Sequence, residues 1–155
     1  MNWRNTVHVL IIVVVLCSEA GTLFFTKPHY LIFNSIVSVF FLFVSGLMLF
    51  DFTYKRRIKT ILGIFIYGFT SLVSLIFSEA VTLMYISYLY PSSFHHHSYS
   101  NADALGNALI LITGYGYPKV LGEAHAFIIL LMLYSWIVNV LLISKLIHVL
   151  SRKIT

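Results

Sequence analysis

The sequence predicts an all-α membrane protein of four spanning helices, with a short re-entrant segment between the third and the fourth. Three observations predict it. The 155 residues are 59% hydrophobic and 10% charged, with a mean hydropathy of +0.92; ordinary globular domains carry about 25% charged residues. The apolar residues gather in four stretches, each long enough at about 1.5 Å per residue to cross a ~30 Å hydrocarbon core. Between the last two lies a glycine-rich run, Ile112-Thr113-Gly114-Tyr115-Gly116, continuing into Tyr117-Pro118, in surroundings too apolar for an ordinary surface turn.

The first segment, Val7 to Phe25, follows a short polar start with Arg4. A retained helix is expected here rather than a cleaved signal, because the run exceeds a typical h-region and no small-x-small cleavage site is clear. Cys17 lies inside it as apolar filler; a single cysteine excludes an intramolecular disulfide and a cysteine metal cluster. Thr26-Lys27-Pro28-His29 breaks the helix, since proline disfavours helix for the residue before it. Tyr30 to Phe50 is the second segment and closes a hairpin. Asp51 to Thr60 is a polar linker with Lys55, Arg56, Arg57 and Lys59. The third segment runs from Ile61 to about Tyr88, where Pro91 stops it, and the fourth from about Gly122 to Leu150. Two units are expected: 1–60, an accessory hairpin with its linker, and 61–155, the unit around the glycine-rich run.

Charge sets the orientation. Arg4, Lys55, Arg56, Arg57, Lys59, Lys145, Arg152 and Lys153 fall on one side, and only Lys27 and Lys119 on the other. Lys and Arg favour the cytoplasmic side, so both termini are expected there, in a multi-pass protein of the cell membrane. The net charge of +5 does not imply nucleic acid, because the basic residues sit at segment ends and form no continuous face. No spanning segment carries the repeated arginines of a voltage sensor.

Asn101 to Leu111 is too short to span. Ser100 or Asn101 is a good N-cap, and Asp103 sits in the first turn, where the helix dipole favours an anion. Such a helix is ~16 Å long, and its partly negative end would point into the membrane centre. The chain must then return over few residues and is expected to be extended. Backbone of that kind is tolerated at membrane depth only where it is buried in protein or lines water. Carbonyls from several copies can then replace an ion's hydration shell, and glycine removes bulk at the axis while admitting positive φ.

At these residues the chain resembles the tetrameric potassium-channel superfamily, whose signature Thr-Val-Gly-Tyr-Gly-Asp is represented by Ile112-Thr113-Gly114-Tyr115-Gly116. The resemblance covers roughly Ile61 to the C-terminus and implies outer helix, turret, pore helix, selectivity filter and inner helix. It implies a homotetramer in a lipid bilayer that conducts K⁺ passively, with K⁺ held by the carbonyls of Ile112, Thr113, Gly114, Tyr115 and Gly116 and no cofactor. Ile112 stands where the family has its first filter threonine, so the innermost ion site is expected to lack a side-chain oxygen. The aspartate after Gly-Tyr-Gly is absent, as is the acidic pore-helix residue that pairs with it in some members, which would fall near Ala108. A weakly selective cation channel and a non-conducting accessory or scaffold subunit are the alternatives.

The fourth segment would line the cavity. Ser135 and Asn139 are four apart and share a helix face; Asn139 either faces the cavity or bonds between helices. Leu142 and Leu146 follow as an apolar inner constriction, with Ile143 as a substitute for Leu142. Ser18-Glu19-Ala20-Gly21-Thr22-Leu23 echoes Ser78-Glu79-Ala80-Val81-Thr82-Leu83. The two carboxylates are expected behind the filter, at a subunit interface or snorkelling outward, since charge is expensive in lipid. His95, His96 and His97 read as a solvated turret, and Lys119 with Glu123 as a rim pair of small effect. Glu19, Glu79 and Asp103 have no catalytic spacing, so no enzyme is expected.

Overall fold

The computed structural model describes residues 3–25, 31–50, 61–94, 100–114, 116, 120 and 122–154. At several positions within the helices only the backbone course is described. Among the described residues five α-helices follow one another: α1 (Trp3–Phe25), α2 (Leu31–Phe50), α3 (Ile61–Leu89), α4 (Asn101–Thr113) and α5 (Ala124–Ile154). A 3₁₀ turn, Pro91–Ser93, follows α3. The Tyr90 N–H still donates to the Ile86 carbonyl at 2.9 Å, and Pro91 then ends the α-helical pattern, having no N–H to donate. Among the described residues there is no sheet, only one antiparallel bridge joining Phe94 to Val120.

The expectation of a pore module of four spanning helices is corrected here. Among the described residues two helices are long and apolar enough to cross a membrane: Gly68–Leu89 of α3, 22 residues, and Ala124–Leu141 of α5, 18 residues. Among the described residues of α1 the apolar stretch is Val13–Phe25, ~20 Å at about 1.5 Å per residue, against a ~30 Å core. No such window occurs among the described residues of α2. The chain is a small, mostly helical protein, with two helices of membrane-spanning length and composition among its described residues.

The centre of the fold is α3, which packs against the other four helices. Ala80, Val81, Leu83 and Ile86 of α3 share one core cluster with Leu23 of α1, Phe41 of α2, Ala104, Ala108 and Leu111 of α4, and Ala124, Ile128 and Leu131 of α5. A second, smaller cluster joins Leu75, Ile112 and Val138. Contact with four helices is why α3 carries apolar residues on several of its faces.

Within that apolar surface α3 carries a line of buried hydroxyls: Ser71, Ser74, Ser78 and Thr82. Their spacing of three and four residues keeps them on one face. Glu19 of α1 is fully buried against it, its Oε1 accepting from Ser74 Oγ at 2.9 Å and from Ser78 Oγ at 2.7 Å. On another side of α3, the fully buried Glu79 accepts from Ser135 Oγ of α5. Tyr134 of α5 donates its hydroxyl proton to the Leu42 carbonyl of α2 at 2.7 Å. Helices without a strong hydrophobic drive to associate rely on such polar contacts and on close packing.

Replacing Glu19 by Ala removes the acceptor of two buried serines, while Ser18 only back-bonds to the Val14 carbonyl from an exposed position. Glu19→Ala is expected to destabilise the protein by roughly 1–3 kcal/mol and Ser18→Ala by about 0.5 kcal/mol or less. Denaturation of the purified protein in detergent micelles checks the difference.

Candidate functional site

The short helix α4 is defined at both ends by its own side chains and backbone. Ser100 is the N-cap, in extended conformation (φ −88°, ψ 164°). Its Oγ accepts from the Asp103 N–H at 3.2 Å, and the Asp103 carboxylate accepts from the Ser100 N–H at 2.9 Å and from its hydroxyl at 2.6 Å. This is a reciprocal capping box, and it also sets a negative charge on the positive end of the helix dipole. Of the two residues offered as caps by the sequence, Ser100 holds the position and Asn101 is the first helical residue.

At its other end α4 runs two residues beyond the expected Leu111. Ile112 is helical and buried, packed with Leu75 and Val138. Thr113 is helical too, and its hydroxyl donates back to the Leu109 carbonyl at 2.7 Å. Gly114 then closes the helix in the left-handed region (φ 67°, ψ 13°), its N–H donating to the Ile110 carbonyl at 3.0 Å. By Gly116 the chain lies back alongside α4, since a Cβ there would stand 3.4 Å from Ile110 Cγ2. The extended backbone expected from Ile112 onward is therefore not found at Ile112 and Thr113. Burial of Ile112 and the threonine's back-bond continue the helix until glycine permits the reversal.

The last four carbonyls of a helix have no partner within it. One of them, that of Ile112, accepts from the Asn139 side-chain amide of α5. Asn139 lies near the far end of the apolar Ala124–Leu141 window, so α4 ends deep beside the apolar length of α5. Thr113, Gly114 and Gly116 are exposed at this end. Beside them stands Trp136, whose indole Nε1 lies 3.5 Å from where a Cβ on Gly114 would be.

The sequence-derived site residues are thus distributed as follows. Ile112, Thr113, Gly114 and Gly116 share the end of α4, while Tyr115 lies outside the described residues. Ser135 is fully buried and bonded to Glu79; Asn139 is half-buried and bonded to Ile112. Leu142 and Leu146 continue α5, with side chains outside those described. His95–His97, Tyr117, Pro118 and Lys119 lie outside the described residues, and Glu123 is exposed. The residue that sequence reasoning missed is Trp136. A large aromatic between Ser135 and Asn139, one position off their face, was the available signal. Among the described residues no group of three or more His, Cys, Asp or Glu side chains could hold a metal ion.

Compared with family models, with curated proteins and with solved structures, the chain matches none.

The two glycines of α4 and its cap should respond in opposite senses. Gly114 needs its left-handed φ, so Gly114→Ala is expected to cost about 1 kcal/mol or slightly more, from backbone strain, since Trp136 leaves an ordinary contact distance. Gly106, exposed in mid-helix with nothing within 4 Å of an added Cβ, should gain about 0.5–1 kcal/mol when changed to Ala. Thermal unfolding of both variants in detergent checks the pair.

Proposed function

We propose that the chain is a potassium channel of the cell membrane, working as a homotetramer in the lipid bilayer with both termini in the cytoplasm. One observation carries the reading. A capped helix too short to span the membrane ends beside the apolar window of α5, with Thr113, Gly114 and Gly116 exposed at that end. The carboxyl end of a helix is partly negative, and backbone carbonyls there suit a dehydrated monovalent cation. K⁺ is the permeant ion and passes down its gradient without a chemical step. The carbonyls of Thr113, Gly114, Tyr115 and Gly116 are the binding oxygens, and Leu142 and Leu146 of α5 form the apolar narrowing further along the path.

A weakly selective cation pore is the second reading, and a specific observation favours it. Ile112 is buried and helical, and its carbonyl is engaged by Asn139. It therefore offers neither a hydroxyl nor a free carbonyl oxygen to an innermost ion. Fewer well-formed sites mean less discrimination between K⁺ and Na⁺.

Purified protein reconstituted in liposomes is expected to pass K⁺ and Rb⁺ in a Ba²⁺-sensitive manner, and to lose the flux in Gly114→Ala and Gly116→Ala variants that still elute as the folded protein. Reversal potentials in mixed K⁺ and Na⁺ separate the two readings, with equal permeability establishing the weakly selective pore. Flux no greater than in empty liposomes would sink both.

A further inference from the structure

Helix α5 is apolar on nearly every side. Phe127, Leu130, Leu133, Ile137, Val140 and Ile147 are exposed, while Ile128, Leu131 and Val138 are buried. Only 28% of its apolar window is buried, against 56% of that of α3. Packing alone therefore distinguishes poorly between one rotation of α5 about its axis and another. Its polar side chains do distinguish, because a hydrogen-bonding group turned away from its partner loses that bond.

Two of these groups share a face, one turn apart, and meet two different helices. Ser135 donates to Glu79 of α3, and Asn139 donates to the Ile112 carbonyl of α4. Glu79 is fully buried, and its second oxygen, Oε2, has no hydrogen-bond partner. A buried carboxyl of this kind is a poor device for stability, since an apolar residue of similar size would avoid its desolvation cost. It is a good device for register, because a polar contact fixes which residues of an otherwise uniform helix face inward.

We propose that Glu79 and Asn139 are positioning residues of one strut running from α3 through α5 to the end of α4. Glu79 sets the rotation of α5 through Ser135; that rotation brings the Asn139 amide to the Ile112 carbonyl; and the amide holds the last turn of α4, two residues before Gly114. Tyr134, bonded to the Leu42 carbonyl, steadies the same stretch of α5 against α2. The strut deepens the channel reading, and rests on it only for its effect on ion selectivity.

Hydrogen exchange of the full-length protein in detergent, read on the amides of the last turn of α4 including Gly114, tests the strut without reference to conduction. Asn139→Leu, Ser135→Ala and Glu79→Leu are each expected to speed that exchange roughly threefold to tenfold, the size of one lost interhelical hydrogen bond. Glu79→Gln, whose amide oxygen still accepts from Ser135, should restore the slow exchange. Ser74→Ala, which breaks a tie of α1 to α3 instead, should leave α4 unchanged. The Glu79→Leu and Asn139→Leu changes combined should have no more effect on α4 than Asn139→Leu alone, as members of one chain of contacts do. Unchanged exchange in Ser135→Ala and Asn139→Leu, or equal acceleration by Ser74→Ala, overturns the strut. In liposomes the same three disrupting variants should lower the K⁺/Na⁺ permeability ratio. Wild-type protein that passes no ions, with the exchange pattern as stated, overturns the channel reading and leaves the strut standing.

Discussion

Polar groups in an apolar helical protein must find partners inside it, and here several of those partners meet at α3. Its hydroxyl line meets Glu19 of α1, and its own Glu79 meets Ser135 of α5. Apolar packing around Ala80, Leu83 and Ile86 supplies attraction, but that surface is nearly uniform. The hydroxyl–carboxyl contacts say which rotation and which height each neighbour adopts. Helix α4 packs directly on α3 through Ala104, Ala108 and Leu111, and only its carboxyl end is held from α5.

The repeated Ser-Glu-Ala-x-Thr-Leu pattern of α1 and α3 acquires a physical meaning in this arrangement. Thr22 back-bonds to the Ser18 carbonyl and Thr82 to the Ser78 carbonyl, both at 2.8 Å. Ser18 and Ser78 likewise back-bond one turn earlier. Each glutamate points to serine on a different helix, Glu19 to α3 and Glu79 to α5. Neither snorkels outward, because each finds hydroxyl donors inside the helix package. The small groups around the glutamates let helices approach closely enough for short side chains to bond across.

Much of the helical framework was legible in the sequence. Pro91, the run of apolar residues and the Ser100–Asp103 pair fix the end of α3 and the start of α4 through local chemistry alone. The far end of α4 was not legible. Whether Ile112 and Thr113 stay helical depends on Leu75, Val138 and Asn139, which are distant in sequence. For the same reason Asn139 could be recognised as a polar residue in need of a partner, while the partner itself could not be named. The number of spanning helices differs from the expectation because, among the described residues, two stretches, Gly68–Leu89 and Ala124–Leu141, combine the length and hydropathy of a span.

Ser78 has one hydroxyl proton and two acceptors in reach, Glu19 Oε1 at 2.7 Å and the Ser74 carbonyl at 2.9 Å. A hydroxyl donates one strong bond at a time. When the proton goes to the Ser74 carbonyl, the bond lies within α3 and favours a slight bend of that helix. When it goes to Glu19, the bond crosses to α1 and the bend loses its support. Ser74 keeps its own bond to Glu19 in either case, so the torsion of a single C–O bond decides whether α1 is held to the central helix by two hydroxyls or by one.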